Sequence, residues 1–318
     1  MEEEKVAIIG SGLIGRSWAM LFASAGMRVR LFDTQKTQVD SALQDIQEQL
    51  ENLQQIGMLR GALAAQEQLA LISGGDTVEN CIKGAIHVQE CIPENLELKK
   101  VVWSAIDSFV SIAKPNVTLA SSTSCIVPSK FSEELQNRSR VFVAHPVNPP
   151  YYVPLVELVP APWTDPDVMV RARALMERIG QSPVTLTKEM PGFALNRIQY
   201  AILNECWNLV NDGVLTVAEV DTVMTDGLGP RYAFMGPLET AHLNAEGMLN
   251  YCERYSKTIH DVSKTFSPVP EMSGPSAEAV HKQLSEKVPL EKLAERRQWR
   301  DKMLTALAKL KMQMRKKE

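Results

Sequence analysis

Short apolar runs and a glycine-rich turn alternate along residues 5–33. Val6–Ile9 is an apolar run with the length of a strand, Arg16–Ser24 carries apolar residues at helical spacing, and Val29–Asp33 is a second strand pattern. Gly26 separates the helix from the second strand. The chain therefore begins with a predicted strand, turn, helix and strand, which together form one βαβ unit.

Strand and helix patterns continue to alternate after an insertion. Residues 34–70 are rich in Gln, Glu, Leu and Ala with helical spacing, and glycines near 57 and 61 interrupt them, so two inserted helices are predicted. Further strands are predicted at Ile86–Cys91, Val117–Ser121, Val141–His145, Leu155–Val159 and Val184–Thr187, with helices at Asn95–Ser108 and Asp165–Ile179. This alternation predicts an α/β fold with a doubly wound, parallel sheet.

Strand patterns stop after Pro191. From Phe193 onward the pattern is helical, and apolar residues lie on more than one side of the predicted helices. A chain of 318 residues with 45% hydrophobic side chains is long enough for two cores. We expect an α/β domain over residues 1–190, with the helical insertion near 34–70, and an all-helical domain over 191–318 that contacts substrate and forms a homodimer.

The net charge limits which binding partners are expected, and the cysteine pattern limits which metal or disulfide sites are expected. A formal net charge of -4 argues against nucleic acid and anionic membranes as partners, so a small-molecule substrate is favoured. Five cysteines are scattered without a C-x-x-C pair, which indicates neither a zinc site nor a disulfide framework. No metal is expected. The acidic N-terminus differs from a secretory signal, so a cytoplasmic location is expected, and the basic run Arg315–Lys317 is expected to be solvated.

The glycine-rich turn has the pattern of a dinucleotide-binding loop. Gly10-Ser-Gly12-Leu13-Ile14-Gly15 follows a predicted strand and opens a predicted helix. Gly10 permits the tight turn, Gly12 lets the backbone approach a pyrophosphate, and Gly15 allows close helix packing. Asp33 ends the second strand, where a carboxylate can bind the ribose hydroxyls of NAD and repel the 2′-phosphate of NADP. A Rossmann-type fold that binds NAD is predicted. FAD is the alternative for this motif, but no later segment suggests a flavin site.

A histidine and a glutamate are candidates for proton transfer. His145 ends a predicted strand, at the edge where open α/β sheets place their ligands. The Asn-Pro-Pro turn that follows can reverse the chain, so that Glu157 on the returning strand meets the imidazole. A carboxylate in that position would fix the ring tautomer and stabilise the imidazolium. Taken alone, such a pair is also compatible with a purely structural role.

Several motifs in sequence order resemble the 3-hydroxyacyl-CoA dehydrogenase family, and the resemblance runs along nearly the whole chain. They are Gly10–Gly15 with Asp33, the stretch from Glu90 to Lys99, the Ser121–Ser124 run, the His145–Glu157 motif and Gly192-Phe-Ala-Leu-Asn196-Arg. The resemblance implies an NAD-dependent dehydrogenase that oxidises a secondary alcohol. It also implies that His145 is the base oriented by Glu157, that Ser124 and Asn196 hydrogen-bond the reacting oxygen, and that Glu94 and Lys99 contact the cofactor.

The substrate expected from the residues differs from an acyl-CoA. Pro146 and Val147 stand where the family's acyl-CoA enzymes usually carry aromatic residues. The insertion near 34–70 is acidic, which suits a polyphosphate ligand poorly. The segments 145–152 and 231–240 are most similar to members that act on a sugar acid, which implies oxidation of L-gulonate at C3. Arg231 is the candidate for its carboxylate, because a guanidinium can bind a carboxylate bidentately. On residue grounds alone, an ordinary surface ion pair explains Arg231 equally well.

Three alternatives remain open at this point. Another 3-hydroxy acid, carnitine or a 3-hydroxyacyl-CoA could be oxidised by the same residues. A structural lens crystallin is an alternative from another class, because the sugar-acid members include a protein recruited to the lens. A regulator that binds the cofactor without turnover is the third. The presence of Ser124, His145, Glu157 and Asn196 favours catalysis over the last two.

Overall fold

A computed structural model describes residues 4–315 of the chain, so Lys316 and Lys317 of the basic run lie outside the described residues. Eight strands form one sheet: β1 Lys5–Ile9, β2 Arg28–Phe32, β3 Ile72–Gly74, β4 His87–Glu90, β5 Thr118–Ser121, β6 Val141–Pro146, β7 Leu155–Pro160 and β8 Ser182–Thr185. Their order in the sheet is β3-β2-β1-β4-β5-β6-β7-β8. Neighbouring strands are parallel except for β6 and β7, which are antiparallel. The predicted Rossmann-type, doubly wound sheet is confirmed.

Helices cover both faces of this sheet. They are α1 Leu13–Ser24, α2 Lys36–Gln55, α3 Ala65–Ala70, α4 Val78–Ile82, α5 Leu96–Ser108, α6 Ser129–Ser132 and α7 Pro166–Arg178. Val6 and Ile8 of β1 belong to a core cluster with residues of α1, α2 and α7, whereas Ala7 and Ile9 belong to a second cluster with residues of α4 and α5. Because successive side chains of a strand point to opposite faces, a strand buried on both faces is apolar throughout.

Local sequence signals fix where two of these helices begin. The Asn95 side chain accepts a hydrogen bond from the Leu98 amide and caps α5, and the Asp165 side chain caps α7 ahead of Pro166. The α1 helix begins differently, because its N-cap residue is Gly12 and no side chain caps it. The first-turn amides of α1 are therefore available to an anion.

The chain divides into two compact units. One runs to Arg197 and includes Leu304–Lys309, and the other comprises Ile198–Met303 with the residues from Leu310. The helices after β8 are α8 Leu195–Asn211, α9 Val217–Thr222, α10 Gly229–Tyr232, α11 Pro237–Leu243, α12 Met248–Ser263, α13 Gly274–Lys287 and α14 Leu293–Arg315. The predicted helical character of this part is confirmed. No helix within residues 4–315 combines the length and apolar character needed to cross a membrane.

The sheet differs from the sequence-based expectation at two places. The strand β3 was not predicted because it spans only three residues and shows no alternation to detect, and the helix α4 was not predicted because its five residues are too few to show a helical period. The strand predicted at Val184–Thr187 lies instead at Ser182–Thr185 and includes Pro183. Because β8 is an edge strand, the missing amide hydrogen of a proline can face away from the sheet.

Candidate active site

Two glycines, one in the loop between β1 and α1 and one in the first turn of α1, occupy positions that have no room for a Cβ. Gly10 has a φ of 110°, and a Cβ there would lie 2.6 Å from the Cys91 carbonyl oxygen, just beyond β4. A Cβ on Gly15 would overlap the carbonyl oxygen of Gly10. Only glycine lets this loop fold on itself and against the end of β4.

Gly12 is required for a different reason. A Cβ on Gly12 would meet no atom of the described chain within 4 Å, although this residue sits at the uncapped start of α1. The open side of the loop can therefore admit a pyrophosphate to the first-turn amides, as the dinucleotide signature requires. Leu13 is exposed and Ile14 half-buried beside it. The loop fits NAD by this test.

Asp33 is held at the same loop. Its Oδ2 atom accepts hydrogen bonds of 3.0 Å from both the amide and the hydroxyl of Ser11. Burial alone would raise the pKa of Asp33, but these bonds and those from Gln35 and Thr34 hold the pKa below its usual value. The carboxylate is thus ionised at neutral pH and fixed beside the glycine turn.

A buried ion pair supports the end of β4. Lys99 Nζ donates to Glu90 at 2.9 and 3.1 Å, and Ser121 Oγ, Trp103 Nε1 and the Ile92 amide also donate to Glu90. The Lys99 side chain is 1% exposed and lies 3.8 Å from Glu94. No separate role was predicted for Glu90, although its position at the carboxyl end of β4 marks it as a residue near the ligand edge of the sheet. The structure places Lys99 chiefly against Glu90.

Glu94 joins the end of β4 to the loop after β5. Its Oε1 atom accepts hydrogen bonds from the Thr123 hydroxyl at 2.5 Å and from the Ser124 and Cys125 amides at 3.1 Å each. The Ser124 hydroxyl lies farther away, at 3.4 Å. Glu94 therefore fixes the backbone of the loop that carries Ser124.

His145 and Glu157 face each other across the only antiparallel pairing in the described sheet. They are register partners in β6 and β7, and His145 Nδ1 lies 2.8 Å from Glu157 Oε2. The other carboxylate oxygen accepts 2.8 Å hydrogen bonds from the amides of Ala194 and Leu195. Burial would raise the pKa of Glu157, but the bonds from His145, Leu195 and Ala194 lower it. An ionised Glu157 keeps the proton on His145 Nδ1, so Nε2 is the atom that can accept a proton.

A left-handed turn brings the start of α8 to this pair. Gly192 and Phe193 have φ values of 74° and 51°. The buried Phe193 ring lies with its centroid 5.6 Å from that of His145. This turn aims the Ala194 and Leu195 amides at Glu157. Neither the two amides nor the Phe193 ring was predicted from the sequence, although Gly192 is a signal for the turn.

Asn196 lies one residue farther along α8 and contacts the Ser124 loop. Its side-chain nitrogen donates to the Ser124 carbonyl oxygen at 2.9 Å and lies 3.5 Å from Cys125 Sγ. Ser124 and Asn196 are thus brought together, and Leu195 links them to the histidine pair. Arg231 lies on α10 in the second unit, where its side chain is exposed.

This geometry suits proton removal from an alcohol next to a bound nicotinamide. The first unit offers one proton acceptor, held by an ionised carboxylate, together with hydroxyl and amide groups that can bind oxygen. Within residues 4–315, no three His, Cys, Asp or Glu side chains are grouped so that they could hold a metal ion.

Known proteins resemble this chain over nearly its whole length. The model of the 3-hydroxyacyl-CoA dehydrogenase NAD binding domain matches residues 5–190, and that of the C-terminal domain matches residues 192–283. A lambda-crystallin homolog from Bos taurus is 56% identical over 311 residues, covering 97% of this chain and 96% of the bovine protein. L-carnitine dehydrogenase from Oceanobacillus iheyensis is 37% identical over 259 residues, covering 80% of this chain and 81% of that protein.

One solved structure shows the same fold. The crystal structure of FHMPC 5-dehydrogenase, an NAD+-dependent dismutase, has a TM-score of 0.80 at 24% identity and covers 97% of both chains. The matched NAD binding domain and the fit of the glycine loop together identify NAD as the cofactor.

Proposed function

Because this chain belongs to the 3-hydroxyacyl-CoA dehydrogenase family, we propose that it oxidises L-gulonate at C3 to 3-dehydro-L-gulonate with NAD. It is an NAD-dependent dehydrogenase, and the choice of L-gulonate is the proposed part. The observation that carries the chemistry is the buried pair of His145 and Glu157, 2.8 Å apart, with Glu157 anchored by two backbone amides. The substrate rests on the resemblance to λ-crystallin, the lens-recruited form of L-gulonate 3-dehydrogenase.

His145 removes the hydroxyl proton in the proposed reaction. NAD, when bound, supplies the acceptor for the hydride from C3. The O–H bond breaks toward His145 Nε2 while the C3–H bond breaks with its electron pair, so C3 becomes a carbonyl carbon and His145 becomes an imidazolium. Glu157 stabilises that imidazolium, because its charge lies against the protonated Nδ1.

Ser124 and Asn196 are proposed to bind the reacting oxygen. The Ser124 hydroxyl makes two long contacts, 3.4 Å to Glu94 Oε1 and 3.7 Å to Cys125 Sγ, so it can turn to a substrate. Asn196 is buried and fixed by its bond to the Ser124 carbonyl. A preorganised donor of this kind commonly contributes roughly two to three orders of magnitude in rate.

The charges favour a small acid over a CoA ester. Asp40 and Glu48 are exposed on α2, within the insertion that lines the CoA side in acyl-CoA relatives. These carboxylates would repel a polyphosphate. The exposed guanidinium of Arg231 is proposed to bind the carboxylate of L-gulonate bidentately.

The test compares NADH formation with L-gulonate, 3-hydroxybutyrate, L-carnitine and 3-hydroxybutyryl-CoA, using wild-type protein and the His145→Ala variant. We expect turnover of L-gulonate that the variant lacks while it still binds NADH. Arg231→Ala should raise KM for L-gulonate more than kcat falls, whereas Arg254→Ala, at an exposed position of α12, should change neither. Preferred turnover of another substrate would overturn the choice of L-gulonate. L-carnitine is the first alternative, because a carnitine dehydrogenase is 37% identical.

A structural role in the lens is the alternative from another class, suggested by the names of the λ-crystallin relatives. The intact histidine pair favours an enzyme, and the same assay decides, because a purely structural protein would show no turnover. The proposed reaction belongs to the uronate branch of sugar metabolism. Its proposed cytoplasmic location rests on the sequence argument alone and is tested by fractionating cells.

We further propose that the chain forms a homodimer through α12. Residues of this helix repeat at spacings of four and three to form an α12 stripe: Met248, Cys252, Tyr255, Ile259 and Val262. Tyr255, Ile259 and Val262 are 40 to 53% exposed, and no residue of the described α12 is buried. An apolar stripe at this spacing suits packing against a second helix.

Light scattering on the purified protein tests the dimer. The wild type should have the mass of two chains, and Ile259→Asp combined with Val262→Asp should give the mass of one. Thr258→Asp adds a charge at an exposed position beside the stripe and should leave the dimer intact. A monomeric wild type, or a double variant that stays dimeric, would contradict this interface.

A further inference from the structure

An arginine in the first turn of α1 contacts the loop that binds NAD. Arg16 directly follows Gly15, and its Nε atom donates to the Ser11 carbonyl oxygen at 3.1 Å. The amide and hydroxyl of the same Ser11 donate to Asp33. Arg16 and Asp33 therefore contact one buried residue, so a guanidinium and the ribose-binding carboxylate share the same end of the cofactor site.

These two side chains favour different cofactors. A carboxylate at Asp33 suits the free ribose hydroxyls of NAD, whereas an arginine near that position accommodates the 2′-phosphate of NADP. A guanidinium is well suited to this, because its planar fork binds phosphate oxygens in pairs. Arg16 on its own would weaken the discrimination that Asp33 provides.

A second carboxylate engages Arg16. Asp45 of α2 forms an ion pair with the Arg16 guanidinium, whose side chain is 18% exposed. Packing fixes the position of α2 relative to α1. Ala42 and Ile46, which stand on either side of Asp45 in the sequence, are buried in the core cluster that also contains α1 residues. The backbone of Asp45 is thus held beside Arg16, and its partly exposed carboxylate reaches the guanidinium from there.

We propose that Asp45 is a cofactor-specificity residue, which neutralises Arg16 and so withholds it from the 2′-phosphate of NADP. Selectivity for NAD then depends on two carboxylates with separate tasks. Asp33 binds the ribose, and Asp45 occupies the guanidinium that would otherwise be placed to bind a 2′-phosphate. This inference rests on NAD binding at the glycine loop and is independent of the proposed substrate.

The test measures dissociation constants of NADH and NADPH by nucleotide fluorescence, without substrate. Asp45→Asn should improve the affinity for NADPH relative to NADH by about fivefold, the size expected for freeing one partly exposed charge. Adding Arg16→Gln to Asp45→Asn should abolish that gain. The matched control is Asp40→Asn, which changes the charge of α2 equally but at an exposed site that has no ion pair with Arg16 in the described chain.

Each of the following affinity results would overturn the proposal. They are an unchanged NADPH to NADH affinity ratio in Asp45→Asn, an equal gain in Asp40→Asn, and a gain that survives removal of the Arg16 guanidinium. Thermal unfolding of each variant accompanies the titrations. NADH binding by Asp45→Asn without any detectable NADPH binding would also contradict the assigned role.

Discussion

Replacing Glu157 with glutamine should change which nitrogen of His145 carries the proton. One carboxylate oxygen of Glu157 accepts from the amides of Ala194 and Leu195, and the other faces His145 Nδ1. In the glutamine side chain, only the oxygen can accept those amide bonds, so its NH2 group must face Nδ1 and donate to it. The imidazole then carries its proton on Nε2, the atom that has to accept one from the alcohol.

Glu157→Gln and Glu157→Ala should therefore distinguish the effect of this residue on kcat from its effect on folding stability. In serine proteases, the corresponding change from carboxylate to amide lowers kcat about 10⁴-fold through the wrong tautomer, and we expect a fall of roughly 10³- to 10⁴-fold here. Glu157→Gln retains an acceptor for both amides and should fold nearly as stably as the wild type. Glu157→Ala leaves two amides without that acceptor and should lose about 2 kcal/mol or more of folding free energy.

The assay is kcat for NADH formation with the substrate that the panel identifies, combined with thermal unfolding. Glu177→Gln on α7 is the matched control, because Glu177 is half exposed and, among the described residues, forms an ion pair only with Arg173 of its own helix. A well-folded Glu157→Gln variant that keeps more than about a tenth of wild-type kcat would refute the tautomer argument.

Two further predictions follow from backbone geometry and from a buried histidine. Gly12→Ala should unfold at the wild-type temperature yet bind NADH at least about tenfold more weakly. Gly15→Ala should instead lose about 2 kcal/mol of folding free energy, and equal losses of stability in the two variants would contradict this reasoning. Burial lowers the pKa of His87 from 6.5 to about 4. As the pH falls from 6.5 to 4, the unfolded chain therefore binds a proton at His87 that the folded chain does not bind. The contribution of neutral His87 to the free energy of unfolding should be fully present above pH 6.5, and this free energy should decline by roughly 3 kcal/mol toward pH 4. Chemical denaturation across that range should show that the free energy of unfolding depends less on pH in His87→Gln than in the exposed-site control His260→Gln. Equal slopes of this free energy against pH would contradict the assignment.

Local patterns were enough to predict the glycine loop and the histidine pair. The strand, turn and helix around Gly12 lie within twenty residues, and Glu157 follows His145 by twelve residues across the loop that joins β6 to β7. Because one short loop joins these antiparallel neighbours, a local stretch of chain sets which residues of the two strands can face each other. The 2.8 Å contact between His145 and Glu157 was therefore within reach of sequence reasoning.

Other parts of the site depend on contacts between distant residues. Glu90 accepts from Ser121, thirty-one residues away, and Arg16 meets Asp45 twenty-nine residues away. Such pairs depend on which helices and strands pack together, and no local period encodes them. The left-handed conformation of Phe193 is likewise set by packing, since a bulky residue rarely adopts it.

The most direct test of the proposed reaction is the fate of the C3 hydrogen of L-gulonate. The enzyme is incubated with NAD and L-gulonate that carries deuterium at C3, and the NADH produced is analysed by mass spectrometry. Direct hydride transfer from C3 predicts NADH that carries the deuterium, and no labelled NADH from the His145→Ala variant. NADH formed without deuterium, or no NADH from an enzyme that binds the cofactor, would contradict the proposed oxidation at C3.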